Sequence, residues 1–167
     1  LIHICEYDKL NDCGRKNYSL TKSWDYSLTK NWFYDNENAK ILSRNVTNYF
    51  RHICKAKTHQ CLWTTFDEIK PLITGKGFRK GYVSLCKKSA YDASRIYLAY
   101  LCNNFYPPSF KQNVKITEDE YALSEILQFI WRSAIRDGKD IWVYIPSIRM
   151  RTLFKKWIDE NSISDSE

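Results

Sequence analysis

The chain has 167 residues, which is enough for one domain that buries roughly 70 % of the surface its unfolded form exposes. Its 26 lysine and arginine residues outnumber 19 acidic ones, and the net charge of +7 either favours a polyanionic partner or serves solubility alone. It contains no apolar run of about 18 residues and no signal segment, so we expect no membrane partner.

Predicted strands and helices alternate along the chain. Apolar, β-branched and aromatic runs predict strands, and helical spacing of apolar residues predicts helices. The predicted strands cover 1–7, 61–66, 82–86 and 140–146. The predicted helices cover 37–54, 67–73, 91–105, 118–136 and 147–160. Between them lie a polar, irregular stretch at 9–35 and a glycine-rich basic loop at 74–81, and a tail follows at 160–167.

This alternation predicts a single α/β domain, 1–167, with a mostly parallel sheet flanked by helices on both faces. The best-defined helix begins at Thr117, which forms a capping box with Glu120, and Gly138 is a natural terminator beyond its other end. In such sheets ligands gather at the carboxyl ends of the strands, so we expect the site there. Because the chain begins at Leu1 and its only methionine is Met150, we interpret it as a piece of a longer protein with further parts upstream.

The six cysteines form no CxxC pair and are scattered among apolar residues, which favours free thiols in a reducing cytoplasm. One stretch, "HICKAKTHQC", offers His52, Cys54, His59 and Cys61 as possible zinc ligands. Zinc ligands are usually paired at a spacing of two to four residues, whereas these pairs are separated by one. We therefore expect no metal site.

The predicted helix 118–136 carries Gln128, Arg132 and Arg136 at four-residue intervals, opposite its apolar face. A solvated face that pairs with Glu125 is the simplest explanation. Two features favour a ligand instead: the exposed-side aromatic Trp131 beside the row, and the use of arginine, whose planar guanidinium suits phosphate oxygens.

The segment "QFIWRSAIR" resembles the sixth motif of superfamily-two helicases. Together with "LWTTF", "GKGFRKGYVSLC", "YLAYLCNNF" and "YIPSIRMRTLFKKWI", it resembles the carboxy-terminal part of helicase-like replication proteins of bacteriophages and mobile elements. That resemblance implies a RecA-like, P-loop NTPase-like second lobe that acts in DNA replication in the host-cell cytoplasm.

The resemblance also implies roles for particular residues. Gln128 would contact the nucleotide, and Arg132 and Arg136 would bracket its γ-phosphate as arginine fingers. ATP and Mg²⁺ would be held mainly by an upstream RecA-like lobe of the same chain, and nucleic acid, with single-stranded DNA as first candidate, would be the track. The implied nucleic-acid contacts are Thr64, Thr65, Lys76, Arg79, Lys80, Lys87, Lys88 and Ser89.

No G-x-x-x-x-G-K-[ST] sequence occurs, so we expect this chain alone not to hydrolyse ATP. Two alternatives to a motor lobe stay open. The first is a non-catalytic nucleic-acid-binding domain that uses its basic loops, Arg149, Arg151 and exposed aromatic residues. The second is a structural or protein-interaction domain whose arginines pair with acidic residues of a partner.

Overall fold

The computed structural model describes residues 1–12, 27–87, 90–106 and 115–162. The strands are β1 (Ile2–Ile4), β2 (Cys61–Thr64), β3 (Tyr97–Tyr100) and β4 (Ile141–Tyr144). The helices are α1 (Asp8–Asn11), α2 (Asn36–Thr47), α3 (Lys70–Ile73), α4 (Glu118–Ile130) and α5 (Ile148–Ser162). A π-helical turn, Asn48–Ile53, follows α2, and short 3₁₀ turns occupy Trp32–Tyr34, Thr58–Gln60, Arg79–Gly81 and Ala134–Asp137.

The four strands form one parallel sheet in the order β1-β4-β3-β2. Ile2 lies opposite Ile141, and Tyr97 lies opposite Trp142. The first and the last strand of the chain are therefore neighbours in the sheet, because β1 pairs with β4. The expected α/β fold with a parallel sheet and flanking helices is confirmed.

Each face of the sheet has its own core. On one face Cys61, Trp63 and Tyr144 pack against α1, α2 and the π-helical turn. On the other face Leu98, Tyr100 and Val143 pack against α4 and α5. Strands buried on both faces consist almost entirely of apolar residues, which is the pattern expected of a parallel sheet covered by helices.

Two predicted elements are wrong. The predicted helix 91–105 instead contains the strand β3. The prediction was wrong because the apolar run "IYLAYL" packs on both faces of the sheet, and a fully buried strand has no polar side that would show its period of two residues. The predicted strand 82–86 is only a bridge between Tyr82 and Trp63, and from Ser84 onward the chain leaves the sheet edge.

The capping box at Thr117 and Glu120 is confirmed: Thr117 Oγ1 accepts from the Glu120 amide at 3.1 Å, and the Glu120 side chain accepts from the Thr117 amide at 2.9 Å. The end of this helix was predicted wrongly, since α4 stops at Ile130 and not at residue 136. Ser133 takes an extended conformation, and its side chain caps the 3₁₀ turn Ala134–Asp137. Gly138, at a φ of +71°, ends that turn.

The polar stretch 9–35 is ordered at both ends, by α1 and by the turn Trp32–Tyr34, while 13–26 lies outside the described residues. The predicted tail overlaps α5 through Ser162, and the residues after 162 also lie outside the described part. None of the helices in the described part has the length and apolar character that crossing a membrane requires.

Candidate functional site

A groove at the last turn of α4 brings the three predicted finger residues together. The cavity measures about 680 Å³. Its polar lining is Gln128, Arg132 and Arg136, its aromatic lining is Tyr91, Trp131 and Trp157, and its aliphatic lining is Ile2, Leu127, Ile130 and Ile135. The three residues that are spaced by four in the sequence therefore share one surface of the folded domain. Gln128 lies on α4, Arg132 in the turn that follows it, and Arg136 in the 3₁₀ turn Ala134–Asp137.

The groove lies at the amino ends of the strands. The Ala134 amide donates to the carbonyl of Arg95, two residues before β3, at 2.9 Å, and the Trp142 amide donates to the Ile96 carbonyl at 2.9 Å. α4 therefore runs antiparallel to the strands and delivers its last turn to the edge where they begin. The expectation of a site at the carboxyl edge is wrong for these residues.

The carboxyl edge is instead covered by other parts of the chain. The Tyr144 hydroxyl donates to the Leu10 carbonyl at 2.5 Å, and the Asn103 amide donates to the Leu28 carbonyl at 3.0 Å. Leu10 and Leu28 are both buried. At this edge, the Tyr144 hydroxyl and the Asn103 amide are thus bonded to the segments that cover the sheet and do not face an open site.

Arg136 is the exposed cation of the groove. Its guanidinium carbon lies 5.0 Å from the centroid of the Tyr91 ring, which is cation–π distance. A hydrogen bond to Asp137 raises the pKa of the Tyr91 hydroxyl, so this ring stays neutral beside the guanidinium. Gln128 is also exposed, and its amide nitrogen lies 3.3 Å from Ser124 Oγ.

Arg132 has a different environment. Its guanidinium donates to the carbonyls of Ser84 at 3.3 Å and Lys87 at 3.4 Å. It therefore fastens the segment 84–87 to the end of α4, and only part of its charge faces the groove. Burial raises the pKa of the nearby Glu125 carboxyl, and the charge of Arg132 opposes that rise.

The side of the groove next to Arg136 is apolar and aromatic. The Trp131 side chain is 57 % exposed, an unusual state for the largest apolar residue on a surface meant only for water. Two aromatic groove residues were not predicted as site residues: Tyr91 falls in the predicted helix 91–105, and Trp157 falls in the predicted helix 147–160. A tyrosine or a tryptophan in a predicted helix can line a groove or fill a core, and the sequence pattern does not distinguish the two positions.

Two of the predicted nucleic-acid contacts are buried. Thr64 donates its hydroxyl to the Val83 carbonyl at 2.7 Å, and Thr65 donates its hydroxyl to the Leu101 carbonyl at 3.0 Å. Neither side chain has exposed surface. These threonines fasten neighbouring segments to β2, so we correct their assignment to structural residues.

The basic candidates are exposed, as a phosphate contact requires. Arg79 and Lys80 lie in the 3₁₀ turn Arg79–Gly81, and Lys76 lies three residues before it. Lys87 lies in the segment that Arg132 fastens. Arg51, which sequence reasoning passed over, lies against Gly77 and extends this basic surface. Lys88 and Ser89 lie outside the described residues.

A polar network joins the end of β2 to the same segment. Asp67 accepts hydrogen bonds from the Tyr82 hydroxyl and from Ser84 Oγ, the latter at 2.9 Å. These two hydrogen bonds, of which the one from Tyr82 has the larger effect, lower the pKa of the Asp67 carboxyl. The Lys70 ammonium lies 4.6 Å from the centroid of the Tyr82 ring. Ser84 is therefore held on one side by Asp67 and on the other by Arg132.

Within the described residues no three His, Cys, Asp or Glu side chains are gathered in a way that could hold a metal ion. Among the four zinc-like ligands of the sequence, burial raises the pKa of Cys54 to about 12 and that of Cys61 to about 11. Metal binding requires the thiolate, which such burial disfavours.

Comparison with known proteins agrees with the fold. The family described as the YonV C-terminal Rossmann-like domain matches residues 1–158. The SPbeta prophage-derived protein YonV of Bacillus subtilis strain 168 is 41 % identical over 166 residues, which is 95 % of this chain and 38 % of that protein. The chain therefore spans well under half the length of this relative. No solved structure matches the chain significantly.

Proposed function

This chain belongs to the family of the YonV C-terminal Rossmann-like domain, and from that premise we propose that it is the second lobe of an ATP-dependent helicase or translocase of phage or mobile-element replication. The observation that carries the proposal is the convergence of Gln128, Arg132 and Arg136 on one groove. The prophage origin of the relative supports the replication context.

In this proposal Arg136 is the arginine finger. It is exposed, and its guanidinium lies over the Tyr91 ring, a contact worth only about 0.5–1 kcal/mol at exposed sites. The guanidinium can therefore leave the ring for a phosphate at small cost. A finger stabilises the charge that spreads over the transferred phosphoryl group and raises the rate by ~10³–10⁵.

Arg132 acts as a positioning residue rather than as a second finger. Its bonds to Ser84 and Lys87 would have to break before it could reach a nucleotide. In its present place it connects the groove with the segment that carries Lys87. A shift of α4 on lobe closure would move that segment, and this would couple the nucleotide to the basic surface.

The chain's own residues fit the far side of an ATP site and not its cradle. The groove offers guanidinium and amide groups for phosphate and hydroxyl oxygens, whereas it has no carboxylate for Mg²⁺ among its lining residues. The nucleotide and its metal would be held by an upstream lobe, and this domain would close on them. The exposed Lys76, Arg79, Lys80 and Lys87 would contact the phosphates of a single strand.

The test is ATP hydrolysis by the full-length protein with and without single-stranded DNA. Arg136→Ala should lower the DNA-stimulated rate by ~10³ and leave nucleotide binding intact, and Arg136→Lys should recover little because lysine lacks the planar fork. Arg44→Ala, which removes an exposed arginine of α2, is the control. A rate for Arg136→Ala equal to that of Arg44→Ala would reject the finger.

A second candidate is a non-catalytic nucleic-acid-binding domain, favoured by the exposed basic surface of Arg51, Lys76, Arg79 and Lys80. It predicts salt-dependent binding of single strands by a protein that hydrolyses no ATP. The same assay separates it from the motor.

A further inference from the structure

Three aromatic side chains form a row across three adjacent strands. His3 of β1 lies opposite Trp142 of β4, and Tyr97 of β3 lies opposite the same tryptophan. The rings of His3 and Trp142 are stacked at 4.9 Å with an interplanar angle of 18°, and those of Trp142 and Tyr97 are 5.5 Å apart at 40°. We call these three residues the aromatic row.

Among the described residues, the aromatic row is more exposed than the residues that follow it on the same face of the sheet. Cys5, Ala99 and Tyr144 point to the same face two residues farther along each strand, and all three are buried. In the row itself, Trp142 is 37 % exposed and the His3 side chain 48 %. Tyr97 is half-buried and packs against the core, whereas His3 and Trp142 keep exposed surface that the described residues leave uncovered.

The surface beside the row is basic. Residues 51–59, "RHICKAKTH", carry five exposed basic or histidine side chains and no acidic one: Arg51, His52, Lys55, Lys57 and His59. None of these five makes an ion pair with a described residue. Ile53 and Ala56 of this segment pack against the same core as Tyr97. The acidic group at the row is Asp140, whose carboxylate lies 3.1 Å from His3 Nε2.

From this combination we propose that the aromatic row is a stacking platform for single-stranded nucleic acid. The rings of the row stack on one another, so an unpaired base of any sequence would extend the stack from its outer end at His3, on the edge strand β1. Neighbouring cations would attract the backbone of the single strand. Bases would stack on the exposed parts of the rings, and the ammonium groups of Lys55 and Lys57 would meet the phosphates. An acidic protein surface would pair with the cations as well, but it has no planar bases with which to extend the stack of rings.

The platform is independent of the proposed ATP-linked role. Ile2 and His3 point to opposite faces of the sheet, so the groove and the aromatic row lie back to back on β1. A protein without ATP hydrolysis would still bind single strands through the row. Conversely, a motor with Arg136 as its finger does not require the row.

The test is binding of a fluorescein-labelled oligothymidine 20-mer to this chain by fluorescence anisotropy, beside an abasic oligomer of equal length. Trp142→Ala should weaken binding of the thymidine oligomer roughly 5- to 150-fold, since a stacked base contributes about 1–3 kcal/mol. It should leave binding of the abasic oligomer unchanged. Tyr34→Ala removes a tyrosine that is 82 % exposed elsewhere and should change neither affinity.

A second arm tests the charges. The double substitution Lys55→Ala with Lys57→Ala should reduce the slope of log Kd against log salt by about 1.4, since each phosphate contact on a single strand contributes about 0.7. Lys40→Ala with Lys156→Ala removes the same charge from α2 and α5 and should leave the slope unchanged.

Thermal unfolding by circular dichroism shows whether each variant is folded, and Trp142→Phe, which keeps a ring, should bind more tightly than Trp142→Ala. Two results would overturn the platform: Trp142→Ala binding oligothymidine as the wild type does, or the wild type binding the abasic oligomer as tightly as oligothymidine. Either result would mean that charge alone accounts for binding of the oligomer. The aromatic row would then be assigned to a protein partner instead of to bases.

Discussion

The guanidinium of Arg132 donates to the backbone carbonyl of Ser84 at 3.3 Å, across 48 positions of the chain. Arg136, four residues later, lies instead over the ring of Tyr91. Two arginines that look equivalent in the sequence therefore have different surroundings: Arg132 holds a segment, whereas Arg136 is exposed at the groove.

Arg132→Ala should loosen segment 84–87 and speed tryptic cleavage after Lys87 by roughly 2- to 10-fold, the effect of losing two long, weak hydrogen bonds to Ser84 and Lys87. Arg136→Ala is the matched control and should be cleaved as the wild type is. Equal cleavage rates for both variants would show that Arg132 does not hold the segment.

Asp67→Asn should lower the melting temperature at pH 7, and this difference from the wild type should shrink as the pH falls below 3.8. Hydrogen bonds from Tyr82 and Ser84 hold the folded-state pKa of Asp67 below its ordinary value of 3.8. The carboxylate therefore stabilises the folded state above that ordinary pKa, and the contribution is lost as the pH falls through the folded-state pKa. A melting-temperature difference that does not shrink as the pH falls below 3.8 would contradict this assignment.

Tyr144→Phe should destabilise the chain by about 1–3 kcal/mol, because it leaves the buried Leu10 carbonyl without this donor. Urea unfolding measures the change. Tyr34→Phe, which removes a hydroxyl from an exposed ring, should be neutral. An equal, small effect of both substitutions would mean that α1 does not depend on Tyr144 for its place over the sheet.

Gly81→Ala should be more damaging than Gly138→Ala. A Cβ at Gly81 would lie 2.2 Å from the Cys61 carbonyl oxygen, which is backbone and cannot turn aside. A Cβ at Gly138 would meet nothing within 4 Å, so its cost is that of a positive φ, about 1–2 kcal/mol. The free energies of unfolding in urea should differ in that order, and the reverse order would contradict the close approach of Gly81 to β2.

The sequence predicted best where a local signal acts alone. The box at Thr117 and Glu120 marks the start of α4, and "DIWVYIP" is short, β-branched and bounded by Gly138 and a proline, so β4 was found. The strand β3 was missed because "IYLAYL" is apolar on both faces, and an unbroken apolar run is compatible with a buried helix as well.

The candidate site was predicted in part. The association of Gln128, Arg132 and Arg136 came from their spacing, and the structure does place them on one groove. Their different partners depend on Tyr91 and Ser84, which come from distant parts of the chain. Ser133 carried a usable signal for the early end of α4, since serine favours caps over helix interiors. The burial of Thr64 and Thr65 could not be read from residue type.

The pairing of β1 with β4 has a consequence for folding. His3 and Asp140 lie 137 positions apart, so joining them closes nearly the whole chain into a loop, whereas β2, β3 and β4 follow one another more closely. Closing so long a loop costs more chain entropy than pairing strands that are close in the sequence. Ile2 lines the groove and His3 completes the aromatic row, so a chain whose first strand has not docked has neither surface complete.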